Sequence, residues 1–195
     1  MFVEVAPDDS WADAVLLLLQ SVTLVTALWT SGVARVESAV NLVLVTLAAV
    51  SAVLLILVGG TALDAFVGVL SAVLVFATAA TVILGIIDQR EANPQAVLGA
   101  VCVYVLLGMM FVFIYGVLAT LGDGNFFAQG TDGTRSVRVY FSYTTLVTLG
   151  YGDYTAKGEL GRTFAISEAL IGQLYLVTVI ALLISRIRAA PHDDR

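Results

Sequence analysis

The residues with the clearest chemical pattern are Thr148-Leu149-Gly150-Tyr151-Gly152-Asp153, with Thr145 three positions before them. Glycine at alternate positions lets a backbone point successive carbonyls to one side without a side-chain clash. A stack of carbonyls aimed at an axis can replace the hydration shell of a monovalent cation entering a membrane. Thr148 can add a hydroxyl at the lower end of that stack, and Tyr151 can brace it laterally. One strand cannot surround an ion, so the pattern demands several copies around an axis, most simply with fourfold cyclic symmetry. Other reactive residue types are scarce. Cys102 is the single cysteine and His192 the single histidine, which excludes an intrachain disulfide and argues against a zinc site or a histidine-based triad within one chain.

A carbonyl stack needs elements that hold it at depth. The stretch before it, about Ser136 to Val147, is too short to cross a bilayer; as a helix it would be about 18 Å long. The five residues Thr148 to Gly152, extended at about 3.3 Å each, would climb back by roughly 16 Å. Down as a half-helix and back as an extended strand is a re-entrant loop. Bare backbone at such depth is tolerated only where it lines a polar cavity inside protein, and the half-helix would aim its negative C-terminal end at the path.

The composition agrees with this setting. Of 195 residues, 59% are apolar and 12% charged, against about 25% charged in an ordinary soluble domain. So little charge cannot clothe a water-facing surface, and the excess apolar residues must face lipid. A formal charge of -6, with Lys157 as the only lysine, excludes a basic nucleic-acid stripe. Five apolar runs are long enough to span, given that a span needs about 20 residues. They cover about Ala12 to Thr30, Ser38 to Val58, Asp64 to Asp88, Pro94 to Leu121 and Arg162 to Arg186. Trp11 and Trp29 suit two interfacial anchors for the first; Gly59-Gly60 reads as a turn; and Asp13, Asp64 and Asp88 read as solvated boundary markers. The first run is not a secretory signal, because no Lys or Arg precedes it.

Thr145-x-x-Thr148-x-Gly150-Tyr151-Gly152-Asp153 resembles the signature of prokaryotic potassium channels of the two-helix pore family, TLGYGD being a variant of the family's TVGYGD core. The resemblance runs from about Ala96 to Ile187, roughly half the chain. It implies a homotetramer with K+ as permeant ion at Thr148, Leu149, Gly150 and Tyr151, and no cofactor. Gly161-Arg162 is similar to the pair that opens the family's inner helix, and Gly172 to its hinge glycine, although glycine is frequent in membrane helices for packing alone. The resemblance implies that Gln173, Leu176 and Ile180 lie at the water-filled cavity and gate. Tyr140, Phe141 and Tyr143 would form an aromatic cuff supporting the filter, together with Thr145. Two departures stand out: Val147 replaces a frequent Thr, and Thr144 replaces a Glu that in some members couples to the filter aspartate.

Glu168 lies in the fifth run, where an ionisable group is costly and usually partnered. Two readings apply: a structural carboxyl bonded to pore-helix hydroxyls or backbone, or a proton-sensitive modulatory group. Gly108 and Gly116 read as close-packing points. No Lys or Arg occurs between Val36 and Gln89 or between Glu91 and Thr134, so the first three helices lack the arginine ladder of a voltage sensor.

The expected fold is an all-α, multi-pass membrane protein: five transmembrane helices, a re-entrant pore helix and filter loop, and a tetrameric pore. Residues 1–93 form a three-helix region, 94–188 the pore domain and 189–195 a short cytoplasmic tail. With the filter opening outward, the N-terminus lies outside and the C-terminus in the cytoplasm, in a plasma membrane. Arg35, Arg90, Arg186, Arg188 and Arg195 then fall inside, in keeping with the positive-inside rule. Arg135, Arg138, Lys157 and Arg162 fall outside. The expected function is non-enzymatic: passive, K+-selective conduction, with membrane lipid and further copies of the chain as partners. The alternatives are a weakly selective monovalent cation channel and a non-conducting membrane subunit or scaffold.

Overall fold

A computed structural model describes residues 60–88 and 94–181, with Val15, residues 19–23, Val25, Thr46 and Val50 within the first two apolar runs. The expectations for those two spans, Trp11, Asp13, Trp29, Gly59, the loop arginines Arg35 and Arg90, and the tail with His192 lie outside the described residues. The described elements are all helical: α1 (Thr61–Asp88), α2 (Pro94–Leu121), α3 (Arg135–Leu146) and α4 (Glu159–Tyr175), which continues into a five-residue π turn, Leu176–Ile180.

α1 starts at Thr61, ahead of the expected Asp64, because the chain turns into it at Gly60. Its φ of +122° is open to glycine, and its carbonyl accepts the first free N–H groups, those of Leu63 and Asp64. Asp64 then sits in the first turn, where a carboxylate complements the helix dipole. α2 starts at Pro94 as read from sequence, since proline's missing N–H is harmless in a first turn. Each helix has 28 residues, about 42 Å at 1.5 Å per residue. Among the described residues these are the two helices long and apolar enough to cross a membrane. They pack along each other, with Gly68 of α1 so close to Val117 that an added Cβ would lie 2.7 Å from its Cγ2. Buried hydroxyls are satisfied within the helix: Thr78 donates to the Leu74 carbonyl and Thr81 to that of Ala77, each at 2.8 Å.

α3 is capped by Thr134, whose hydroxyl accepts from the Val137 N–H. It packs against both α2 and α4. α4 opens at Glu159, three residues before the expected Arg162, with Gly158 at the cap. The core beside these helices is aromatic: Phe111 and Tyr115 of α2, Phe126 and Phe127 of the loop, Phe141 of α3, and Ala156. It explains why the polar-looking stretch 122–134 is ordered. Phe126 and Phe127 are buried, and the loop is tied to residues 155–157 by Ala128 N–H to Thr155 O and Lys157 N–H to Phe126 O, both 2.9 Å. Asp132 accepts the Phe126 N–H at 2.8 Å.

Candidate functional site

The segment Thr148–Gly152 emerges from the C-terminal end of α3. Its backbone alternates in hand: φ is +57° at Thr148, +52° at Gly150 and +78° at Gly152, and negative at Leu149 and Tyr151. This corrects the uniformly extended strand read from sequence. In a β-strand successive carbonyls point to opposite sides; alternating left- and right-handed residues gather the N–H groups on one side and leave the carbonyls on the other. Here Leu149 N–H and Gly150 N–H both turn onto the Thr144 carbonyl, at 2.8 and 3.2 Å, and Thr148 N–H onto that of Thr145, at 2.9 Å. The last carbonyls of α3 are thereby satisfied. Among the described residues no backbone N–H is bonded to a carbonyl of Thr148–Gly152.

Three residues of α4 meet this unit from behind. Gln173 donates from its Nε2 to the Thr148 hydroxyl at 3.0 Å. Gly172 is buried flat against the end of α3: an added Cβ would collide with the Leu146 carbonyl and lie 2.9 Å from Leu146 Cδ1. Of the two readings of Gly172, this geometry carries close packing. The wider turn in the inner helix comes later, at Leu176–Ile180; Leu176 is exposed on this chain, and the side chain of Ile180 lies outside the described residues. Glu168 is fully buried. Tyr115 donates to its Oε2 at 2.5 Å, and Ser142 Oγ lies 2.5 Å from its Oε1 and 2.8 Å from the Gly108 carbonyl. The pore-helix hydroxyl was the expected partner; Tyr115 carries no sequence signal, because α2 is apolar all round and no spacing marks one of its faces.

The aromatic cuff is thinner than expected. Tyr140 stacks on Tyr151 with ring centroids 6.3 Å apart and planes 7° apart. Its hydroxyl lies beside the Asp153 carboxylate, which raises the phenol above its ordinary pKa. Phe141 and Tyr143 face away from the filter. Phe141 packs edge-on against Tyr115 and Phe127 in the core. Tyr143 reaches α2, donating to the Val105 carbonyl at 2.8 Å, with its ring so close to Gly108 that an added Cβ there would lie 2.9 Å from it. Gly108 is thus a tight packing point. Gly116 is not, since its nearest neighbour, Arg138 Nε, would be 3.7 Å from a Cβ. Arg135, Arg138, Asp64, Ser71 and Thr120 meet instead around a polar cavity of about 110 Å³ where α1, α2 and the start of α3 converge.

No curated protein and no solved structure matches the chain. Residues 134–189 match a family model described as ion channel. The match opens at Thr134, the cap of α3, and takes in the carbonyl segment and α4.

Proposed function

We propose that the chain is the pore-forming subunit of a potassium-selective channel that conducts K+ passively through Thr148–Gly152 in a homotetramer. The observation that carries this reading is the alternation of backbone hand at Thr148, Gly150 and Gly152, which leaves a run of carbonyls free to replace water around a dehydrated cation. The Gly150-Tyr151-Gly152 core favours K+ over Na+ by the resemblance already drawn. Four copies would complete each cage, and the residues exposed along α4, among them Ile166, Leu170 and Leu174, would meet neighbouring subunits and lipid. Gln173, at the foot of the filter, would face the cavity with Leu176 and Ile180 below it. In this reading the protein is a multi-pass plasma-membrane protein with its N-terminus outside and its C-terminus inside, three helices precede the pore, and K+ is the permeant ion with no cofactor.

The test is flux from liposomes holding the purified chain under a K+ or a Na+ gradient. K+ flux well above Na+ flux is the expected result, and Gly150→Ala is expected to abolish it. A side chain at a left-handed residue costs about 1–2 kcal/mol, incurred four times around one ring. Comparable K+ and Na+ flux would turn the reading to a weakly selective cation channel. Intact tetramers without flux would turn it to a non-conducting membrane subunit.

A further inference from the structure

Glu168 links three helices through a chain of oxygens. Its Oε1 lies 2.5 Å from Ser142 Oγ on α3, which lies 2.8 Å from the Gly108 carbonyl on α2; its Oε2 receives the Tyr115 hydroxyl, also from α2, at 2.5 Å. All three oxygen–oxygen distances suit hydrogen bonds, and a proton count decides their direction. A serine hydroxyl owns one proton, and a carbonyl oxygen only accepts. If Ser142 gives its proton to Glu168, two oxygens face each other at 2.8 Å across the Gly108 contact with no proton between them. If Ser142 gives it to Gly108, the bond to Glu168 must be supplied by the carboxyl. Only the second arrangement fills every contact.

We infer that Glu168 is held as a neutral carboxylic acid that donates its proton to Ser142, and that it is the positioning residue locking α3 between α2 and α4. The setting favours this. The ionisable groups that face Glu168 are phenols: Tyr115 in contact and Tyr104 farther off on α2, and Tyr143 on α3. Among the described residues no Lys or Arg side chain is bonded to it. A buried carboxylate with only neutral donors is far costlier than the same group carrying its proton. The relay also runs through Gly108, the glycine against which Tyr143 packs, so one proton and one close contact set the same helix pair.

The effect on conduction rests on the proposed function, but the proton does not, so the two are tested apart. Infrared spectra of the full-length protein in vesicles at neutral pH should contain the carbonyl stretch of a protonated carboxylic acid that disappears in Glu168→Gln. The same band should persist but shift in Ser142→Ala, which removes the acceptor. A band unchanged in Glu168→Gln, or one that Ser142→Ala leaves unmoved, would overturn the inference. In flux, Gln should rescue, because its amide donates to Ser142 and its carbonyl accepts from Tyr115. Glu168→Leu should reduce flux or the assembled fraction about tenfold or more, since one buried hydroxyl left without a partner is worth about a factor of ten in an equilibrium. Loss with Gln equal to that with Leu would defeat the donor role. A wild-type tetramer without flux would remove the proposed function and leave the infrared result standing.

Discussion

Replacing Gly172 by alanine separates two roles that a glycine in an inner helix can have. As a flexible joint, Gly172→Ala should stabilise the helix, because alanine is better than glycine in a helix interior by about 0.8–1.0 kcal/mol. As a packing point it should do the opposite. The new methyl would collide with the Leu146 carbonyl and lie 2.9 Å from Leu146 Cδ1, whereas carbon atoms settle at about 3.5–4.0 Å. The carbonyl belongs to the last turn of α3 and cannot rotate away, so α4 must retreat by roughly 1 Å to regain ordinary contact. Overpacking of this kind costs about 1–3 kcal/mol, which outweighs the gain in helix propensity. The retreat has a second consequence. Gln173 adjoins Gly172 and reaches the Thr148 hydroxyl at 3.0 Å; a further ångström would break that bond. Thermal melting of the assembled protein, followed beside K+ flux, reads both effects. The expected result is a lower melting temperature together with lower flux. An alanine variant that melts at or above the wild-type temperature would refute the packing argument, whatever happens to flux.

Phe127→Ala tests the aromatic core behind the filter. The ring is completely buried and packs edge-on against Phe126, Phe141 and Tyr154, so its truncation should destabilise the fold by about 3–5 kcal/mol; an unchanged denaturation midpoint would contradict this. Tyr140→Phe keeps the stack on Tyr151 and removes only the hydroxyl beside Asp153, and should retain the K+-over-Na+ flux ratio, while Tyr140→Ala should lower it. Equal ratios in both variants would show that the stack does not brace the filter.

How much was legible in the sequence follows from the kind of signal each feature leaves. Pro94 and Leu121 bound α2 as read, because proline, glycine and charge punctuate an apolar run. α3 runs over Arg135–Leu146, one residue earlier at each end than the sequence reading. The alternate glycines of residues 148–152 are visible in the sequence, but the hand of the backbone there is not: they permit left-handed φ without requiring it at Thr148, which is no glycine at all. Phe126 and Phe127 looked like part of a polar loop, since two apolar residues among eleven polar or small ones carry no periodicity. The partner of Glu168 on α3 belonged to the expected class, whereas Tyr115 did not, because in a helix that is apolar all round the buried face is chosen by neighbours rather than by spacing.

α4 engages α3 and the segment after it along one strip. Glu168, Gly172 and Gln173 lie within six residues, about 8 Å of helix axis, and take Ser142, Leu146 and Thr148 in order along the chain. α3 needs such support. It has 12 residues, a length at which a helix alone is marginal, and two arginines in its first turn oppose its dipole. The chain it carries is strained: Thr148 is the one non-glycine residue with positive φ among those described, a conformation worth about 1–2 kcal/mol for a residue with a Cβ. Strain of this kind persists only where the surroundings over-determine it. At Thr148 they do so from both sides, with the N–H held by the Thr145 carbonyl and the hydroxyl by Gln173. The alternation that frees the carbonyls therefore begins at the residue the inner helix grips. A displacement of α4 at Gln173 acts on Thr148, the first strained residue of this segment, before it acts on Gly150 or Gly152.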